Sequence, residues 1–245
     1  MAPPTSINND IYEQLGDRWY TAQDDPVALL RAESRLKTPW ILERMPSGAR
    51  VLDVGCGAGF LSNSLAQAGH SVTGLDLSKE SLRVAREHDA TGSVDYIAGD
   101  AYHLPFADAS FDAVSAMDFL EHIERPADFI REVSRVLKPG GRFFFHTFNR
   151  NHFSHFVIIK MVEWLVANTP KHMHVIELFL KPSEVAAMCA SSKIDVVEMI
   201  GIKPIFSTIT LRDLFKRQVP KGFAFQFTKS LKLSYLGYGT KSPNH

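Results

Sequence analysis

Cysteine is scarce in this chain: two in 245 residues, Cys56 and Cys189. They lie far apart, and neither sits in a metal or redox spacing. That excludes a disulfide scaffold and points to a reducing, cytoplasmic compartment. Net charge is also absent, because 27 Lys and Arg balance 27 Asp and Glu. A nucleic-acid partner therefore has no overall electrostatic support. No apolar run reaches the roughly 18 residues that cross a bilayer. Met1–Asn9 lacks the apolar centre of a signal peptide. There is no internal repeat, low-complexity tract or domain linker. The remainder, 45% hydrophobic and 22% charged, reads as one globular domain over residues 1–245.

Zero net charge hides an imbalance. From Gly201 to His245, eight basic residues face the single acid Asp213, so this tail carries +7 and the rest of the neutral chain −7. Charge weighted to one end suits contact with an anionic surface.

Residues 1–25 are polar and read as loosely ordered, with Trp19 and Tyr20 as anchors. Pro26–Met45 has helical spacing. Strand patterns then follow at Arg50–Val54, Ser71–Leu75, Val94–Ile97, Asp112–Ala116 and Arg142–Thr147. Helical patterns separate them at Phe60–Ala68, Ser78–His88 and Ala127–Leu137, the last closed by Lys138-Pro139-Gly140-Gly141. Such alternation predicts a parallel sheet with helices on both faces. After Arg150 the order changes. Helices are expected at Phe153–Ala167 and Pro182–Ser191, and late strands at Ile194–Ile200 and Phe223–Tyr235, making seven strands. The expected divisions are a cofactor-binding core (26–150), a lid (151–192), and late strands with the basic tail (193–245).

The stretch Val51-Leu52-Asp53-Val54-Gly55-Cys56-Gly57-Ala58-Gly59 carries the chemistry. A buried strand ends in an acid, and alternate glycines lead into a helix. Glycines let a ligand approach the backbone closely, and the helix N-terminus attracts anionic groups. Asp53 adds a carboxylate, which suits a ligand with a positive centre. S-adenosylmethionine, with an ammonium, a carboxylate and a sulfonium, fits better than a pyrophosphate. Asp76, followed by Leu77, ends the second strand and is placed to accept from both ribose hydroxyls. Asp100 ends the third and is placed to accept from the adenine amino group. The Ala101 amide would donate to the ring, and Pro105-Phe106 would stack nearby. Each acid alone also reads as a turn or cap residue. Three in succession at the carboxyl edge of a sheet mark a ligand site.

With Gly74-Leu75-Asp76, Gly99-Asp100-Ala101 and Leu137–Gly141, this set resembles the class I S-adenosylmethionine-dependent methyltransferases over residues 26–150. The resemblance implies a Rossmann-like, mostly parallel seven-stranded sheet. Met117–His122, Thr147–Asn151, Lys171–His174 and Phe179–Pro182 further resemble the ubiquinone-biosynthesis O-methyltransferases. That family methylates catechol-type hydroxyls on polyprenylated aromatics. The resemblance implies cofactor contacts by Lys37, Gly55, Asp76 and Met117, beside those read above for Asp53, Gly57, Leu77, Asp100 and Ala101. It also implies metal ligation by Asp118, Glu121 and His122. The chain departs from the family at Asp118 (usually Glu), Lys37 (usually Arg) and Val175 (usually Asp).

Asp118, Glu121 and His122 stand at i, i+3 and i+4, so one helical turn would put them on one face. Two carboxylates and an imidazole suit Mg²⁺ or Mn²⁺. The alternative makes Asp118 a cap, Glu121 solvated and His122 packed on the sheet. In catalysis, either a bound cation lowers the phenol pKa or His122 acts as general base. His146, His152, His155, His172 and His174 cluster after the sheet and read as surface or pocket-lining residues, with His174 assigned to the substrate pocket. Phe153–Ala167 is apolar around most of its circumference. It reads either as a buried lid or as a segment dipping into a membrane interface, aided by the basic tail. A nicotinamide oxidoreductase is the rival reading, but its GxGxxG fingerprint differs from the GxGxG here. A catalytically silent adaptor is a second rival.

Overall fold

The computed structural model describes residues 9–170, 173 and 175–243. Among the described residues eight strands form one sheet: β1 (Arg50–Val54), β2 (Ser71–Asp76), β3 (Asp95–Ala98), β4 (Phe111–Met117), β5 (Leu137–Phe148), β6 (Ile194–Pro204), β7 (Phe225–Thr228) and β8 (Ser234–Lys241). Their order is β3-β2-β1-β4-β5-β8-β6-β7. The first five pair in parallel, and β8 pairs antiparallel with both β5 and β6.

Eight strands replace the expected seven because Phe223–Tyr235 is not one strand. It yields β7, a turn, and β8, which runs on to Lys241. The last early helix also stops one residue sooner than expected. Leu137 already belongs to β5, and Lys138–Gly141 is strand, with Gly140 at φ +77°.

Helices cover both faces. On one side α2 (Val27–Arg44) and α3 (Phe60–Gln67) pack Trp40, Ile41, Leu61 and Leu65 against Val51, Phe144 and Leu236. On the other, α5 (Pro126–Val136) and α7 (Pro182–Ser191) pack Phe129, Ile130, Val185 and Cys189 against Leu52, Phe143 and Phe145. The Phe143-Phe144-Phe145 run thus feeds the two cores alternately, as strand geometry requires. Helix α4 (Lys79–Glu87) covers β2 and β3 through Leu82 and Ala85, and its cap Ser78 accepts from the Ser81 amide at 3.0 Å.

Residues 9–25 are built into the fold rather than loose; the rest of the expected loose segment lies outside the described residues. Asn9–Gln14 forms a 3₁₀ turn and α1 spans Arg18–Thr21. Trp19 is buried and donates to Ser81 Oγ at 3.2 Å, and the Tyr20 hydroxyl donates to the Ala58 carbonyl at 2.9 Å. Glu13 accepts from the Lys79 and Glu80 amides at 2.8 and 3.3 Å. A carboxylate there satisfies orphan donors at the start of α4.

The expected lid helix runs over residues 152–165 as α6: α-helical at His152–Ser154, π-helical at His155–Met161, α-helical again at Val162–Leu165. Among the described residues no helix is long and apolar enough to cross a membrane. The last helix, α8 (Leu211–Lys216), starts on a reciprocal Thr210–Asp213 cap.

Candidate active site

The turn between β1 and α3 is left-handed at each of its glycines, with φ of +68° at Gly55, +51° at Gly57 and +79° at Gly59. The space matters as much as the conformation. A Cβ at Gly55 would come within 2.4 Å of the Phe119 ring, and one at Gly59 within 2.3 Å of the Tyr96 hydroxyl. A glycine fits each position where a larger residue would strain the backbone and collide.

This turn rims an open cleft of about 1270 Å³ at the carboxyl edge of the parallel strands. The cleft gathers the cofactor residues expected from the sequence: Lys37, Asp53, Gly55, Gly57, Asp76, Leu77, Asp100, Ala101 and Met117. Pro105 and Phe106 are not among its walls. Phe106 instead packs edge-on against Phe111, 4.9 Å between ring centres, on the buried side of the sheet.

The three acids differ in their surroundings. Asp53 is buried beneath the turn, and its two oxygens accept from Ser62 Oγ at 2.6 Å and Ser115 Oγ at 2.7 Å. Burial outweighs these bonds and pushes its carboxyl up to about 6. Asp76 accepts from the Gly57 amide at 2.8 Å and the Ser78 amide at 2.9 Å, and burial raises its pKa. Asp100 is half-exposed. His103, with the Tyr102 amide, holds its carboxyl below the usual range.

A second open cleft, of about 1120 Å³, adjoins the first. It is strongly apolar. Val157, Ile158, Met161, Val162 and Leu165 of α6 face Leu29 of α2, Phe148 of β5 and Phe223 and Phe225 near β7. Lid residues 157–165 therefore turn an inner face to this cleft, while Phe153, Phe156 and Trp164 remain exposed on the outside. Exposed apolar residues continue on α8, where Leu211 is 75% and Phe215 88% exposed. Tyr12, Leu30, Asp118 and His122 line both clefts and form the junction.

Asp118, Glu121 and His122 do not share one helical turn. Asp118 has φ +53°, and the 3₁₀ turn that follows begins only at Leu120. Their ligand atoms do not close on one point. Among the described residues the cluster whose donor atoms do so, within 4.8 Å, is Glu33, Asp118 and His146. A lysine sits in that cluster. Lys37 Nζ donates to Glu33 at 3.1 Å and to Asp118, and lies 3.5 Å from His146 Nδ1. His146 Nδ1 donates to Asp118 at 2.5 Å. Burial opposes the Lys37 ammonium, but Asp118 and Glu33 outweigh it and raise its pKa. Burial likewise opposes the Asp118 carboxylate, but Lys37 and His146 hold it well below the usual range.

Glu121 is fully buried, and among the described residues neither carboxylate oxygen has a hydrogen-bond partner. Burial, then the charge on Asp118, pushes its carboxyl up to about 8. Burial pushes His122 down to about 4, so its imidazole is neutral at pH 7. His122 thus reaches the junction uncharged, while Glu121 lies buried outside the walls of both clefts, its carboxyl mostly protonated at pH 7. Glu33 and the role of His146 escaped the sequence reading. The signal for Glu33 was its position four residues before Lys37 on one helix; His146 appeared only as one histidine among five. His172 and His174 lie outside the described residues.

A glycine-turned cleft with acids at successive strand ends, opening onto an apolar cleft at a His and carboxylate junction, defines an S-adenosylmethionine-dependent methyltransferase. Residues 52–145 match the family model described as a methyltransferase domain. A solved SAM-dependent methyltransferase from Methanosarcina mazei shares the fold, with TM-score 0.60 and 20% identity, covering 84% of this chain and 98% of its own. The ubiquinone biosynthesis O-methyltransferase of Hahella chejuensis is 39% identical over 208 residues, 82% of this chain and 87% of that one. Its Bordetella avium counterpart is 38% identical over 199 residues, 79% and 82% of the two chains. The chain belongs to the family of ubiquinone biosynthesis O-methyltransferases.

Proposed function

We propose that the chain transfers the methyl group of S-adenosylmethionine to a phenol or catechol hydroxyl on a polyprenylated aromatic intermediate, as its relatives' names suggest. The observation that carries this reading is the junction, where a glycine-rimmed cleft holding Asp53, Asp76 and Asp100 meets a strongly apolar one at His122 and Asp118. Residues 26–150 hold the cofactor and residues 151–192 form the lid. Asp76 and Leu77 take the ribose, Asp100 and Ala101 the adenine, and Lys37, Gly55, Gly57 and Met117 the methionine end. Asp53 supplies negative potential below the sulfonium. The apolar cleft takes the prenyl chain and thereby aims the ring at the methyl group. Such positioning supplies up to roughly 7–11 kcal/mol in favourable cases.

The hydroxyl proton must leave. Neutral His122 can accept it, but passing a proton from a phenol near 10 to an imidazole near 4 runs uphill by about 8 kcal/mol. A positive charge beside the oxygen offsets that cost. The Glu121 carboxyl, buried without a hydrogen-bond partner among the described residues, is the feature that would take a divalent cation, which would have to displace its proton and draw the ligand atoms of Asp118, Glu121 and His122 together. Asp118, Glu121 and His122 are the residues that would hold Mg²⁺, and the ion would supply Lewis acidity. Asp118 would have to share its carboxylate between the ion and Lys37.

The polyprenylated substrate resides in membrane, and the lid's outer aromatics with the +7 tail suit peripheral contact with an anionic bilayer from the cytoplasmic side.

Methyl transfer from labelled S-adenosylmethionine to short-chain catechols, with and without Mg²⁺ and a chelator, tests the reading. His122→Ala should lose at least about a hundredfold in kcat and keep cofactor binding. Unchanged turnover in that variant would sink the assignment. A rate indifferent to chelation would remove the cation and leave His122 as direct base.

A further inference from the structure

Tyr12 comes from outside the sheet, on the 3₁₀ turn that closes over α4, yet it reaches the junction between the two clefts. Its ring is clamped. It stacks on Trp19 at 5.6 Å and 18° and meets His122 edge-on at 5.9 Å and 71°. The backbone is pinned as well, since the Tyr12 carbonyl accepts from Ser81 Oγ at 3.3 Å and the neighbouring Glu13 caps α4. The ring is held, but among the described residues no group hydrogen-bonds its hydroxyl, which lies within electrostatic reach of Glu121 and Asp118. A phenol carries its proton at neutral pH and can therefore act as a donor.

We propose that Tyr12 is a specificity-determining residue whose hydroxyl donates a hydrogen bond to the second oxygen of a vicinal aromatic diol while the first oxygen is methylated. The proposal rests on the methyl-transfer reading above. Its logic is geometric. A ring approaching the cofactor through the apolar cleft passes the junction, which Tyr12 and His122 line side by side. An oxygen facing His122 for deprotonation leaves its ortho neighbour to be met by another wall, and Tyr12 is the wall that carries a rigidly held donor. A site that hydrogen-bonds a substrate hydroxyl discriminates against the analogue lacking it, because the site's own polar group is then unpaired.

The test compares kcat/KM for a short-chain catechol and for the matching 2-methylphenol in the wild type and in Tyr12→Phe. For a slow substrate the competitive inhibition constant is measured instead. Phenylalanine keeps the ring on Trp19 and against His122, so the fold is retained; a thermal melt verifies this. Loss of one hydrogen bond should lower kcat/KM for the catechol by about tenfold. The 2-methylphenol value and the cofactor Kd should stay within about twofold. An equal loss on both substrates, no loss on either, or a parallel loss of cofactor affinity in an active enzyme would overturn the proposal alone. Inertness of the wild type towards both substrates would overturn the methyl-transfer reading, and this inference with it.

Discussion

Replacing Lys37 by methionine tests the charge cluster behind the junction. Lys37 is 3% exposed, and its ammonium is shared between Glu33 at 3.1 Å and Asp118. Methionine matches the length of the stem and removes only the charge and its hydrogen bonds. Asp118 keeps His146, but Glu33, itself 5% exposed, loses its cation. Removing one partner of a buried ion pair typically costs about 3–5 kcal/mol, because the other charge stays buried and unpaired. In a domain of this size each kcal/mol lowers Tm by about 2–4 °C, so the variant should melt roughly 10 °C below the wild type. Urea unfolding with a common m-value would give the same difference as a shift in midpoint. Glu33→Gln in the Lys37→Met background should recover part of the loss, since it removes the unpaired charge. A loss under about 2 °C, or no recovery in the double variant, would refute the claim that the cluster is a buried, charge-compensated unit.

Two further outcomes follow from the same reasoning. The folded pKa of Asp53, about 6, lies above its unfolded value of 3.8. The native state therefore binds the proton more tightly, and stability from this group is full below about pH 4 and lost as pH rises through about 6. The fall is about 3 kcal/mol at most. Asp53→Asn should flatten the dependence of unfolding free energy on pH across that window, and an unchanged slope would contradict the burial argument. For membrane contact, the double variant Phe156→Ser and Trp164→Ser should weaken sedimentation with anionic vesicles by at least about tenfold, with methyl transfer to short-chain catechols retained. Equal sedimentation would remove the outer face of α6 from the interface.

The parallel half of the fold was legible because strand, glycine turn and helix repeat with local signals. Val51–Val54, the three left-handed glycines and the Ser78 cap each announce their own structure. The late half was less so. The expected strand Phe223–Tyr235 stops two residues into β8, because Gly237 and Gly239 interrupt the strand pattern beyond it. A Cβ at Gly237 would come within 2.7 Å of the Phe145 ring, so the neighbouring strand's aromatic, not local propensity, selects glycine there. The N-terminal segment looked loose for a related reason. Its order comes from Trp19, Tyr12 and Glu13 meeting α4, a contact some 65 residues away in sequence. In the site, individual residues were readable but their partners were not. The i, i+4 spacing brought Asp118 and His122 together on paper, yet a single positive φ at Asp118 turns its carboxylate towards α2 and β5. No spacing rule carries that information.

The two outermost strands of the sheet, β3 and β7, are each four residues long. A chain whose charges sum to zero has no long-range repulsion to keep its copies apart. Stubby margins leave few unpaired amides on which a second sheet could grow. Geometry thus supplies resistance to edge-to-edge aggregation that electrostatics cannot, and insertions that lengthen either margin should be the ones that make the protein precipitate.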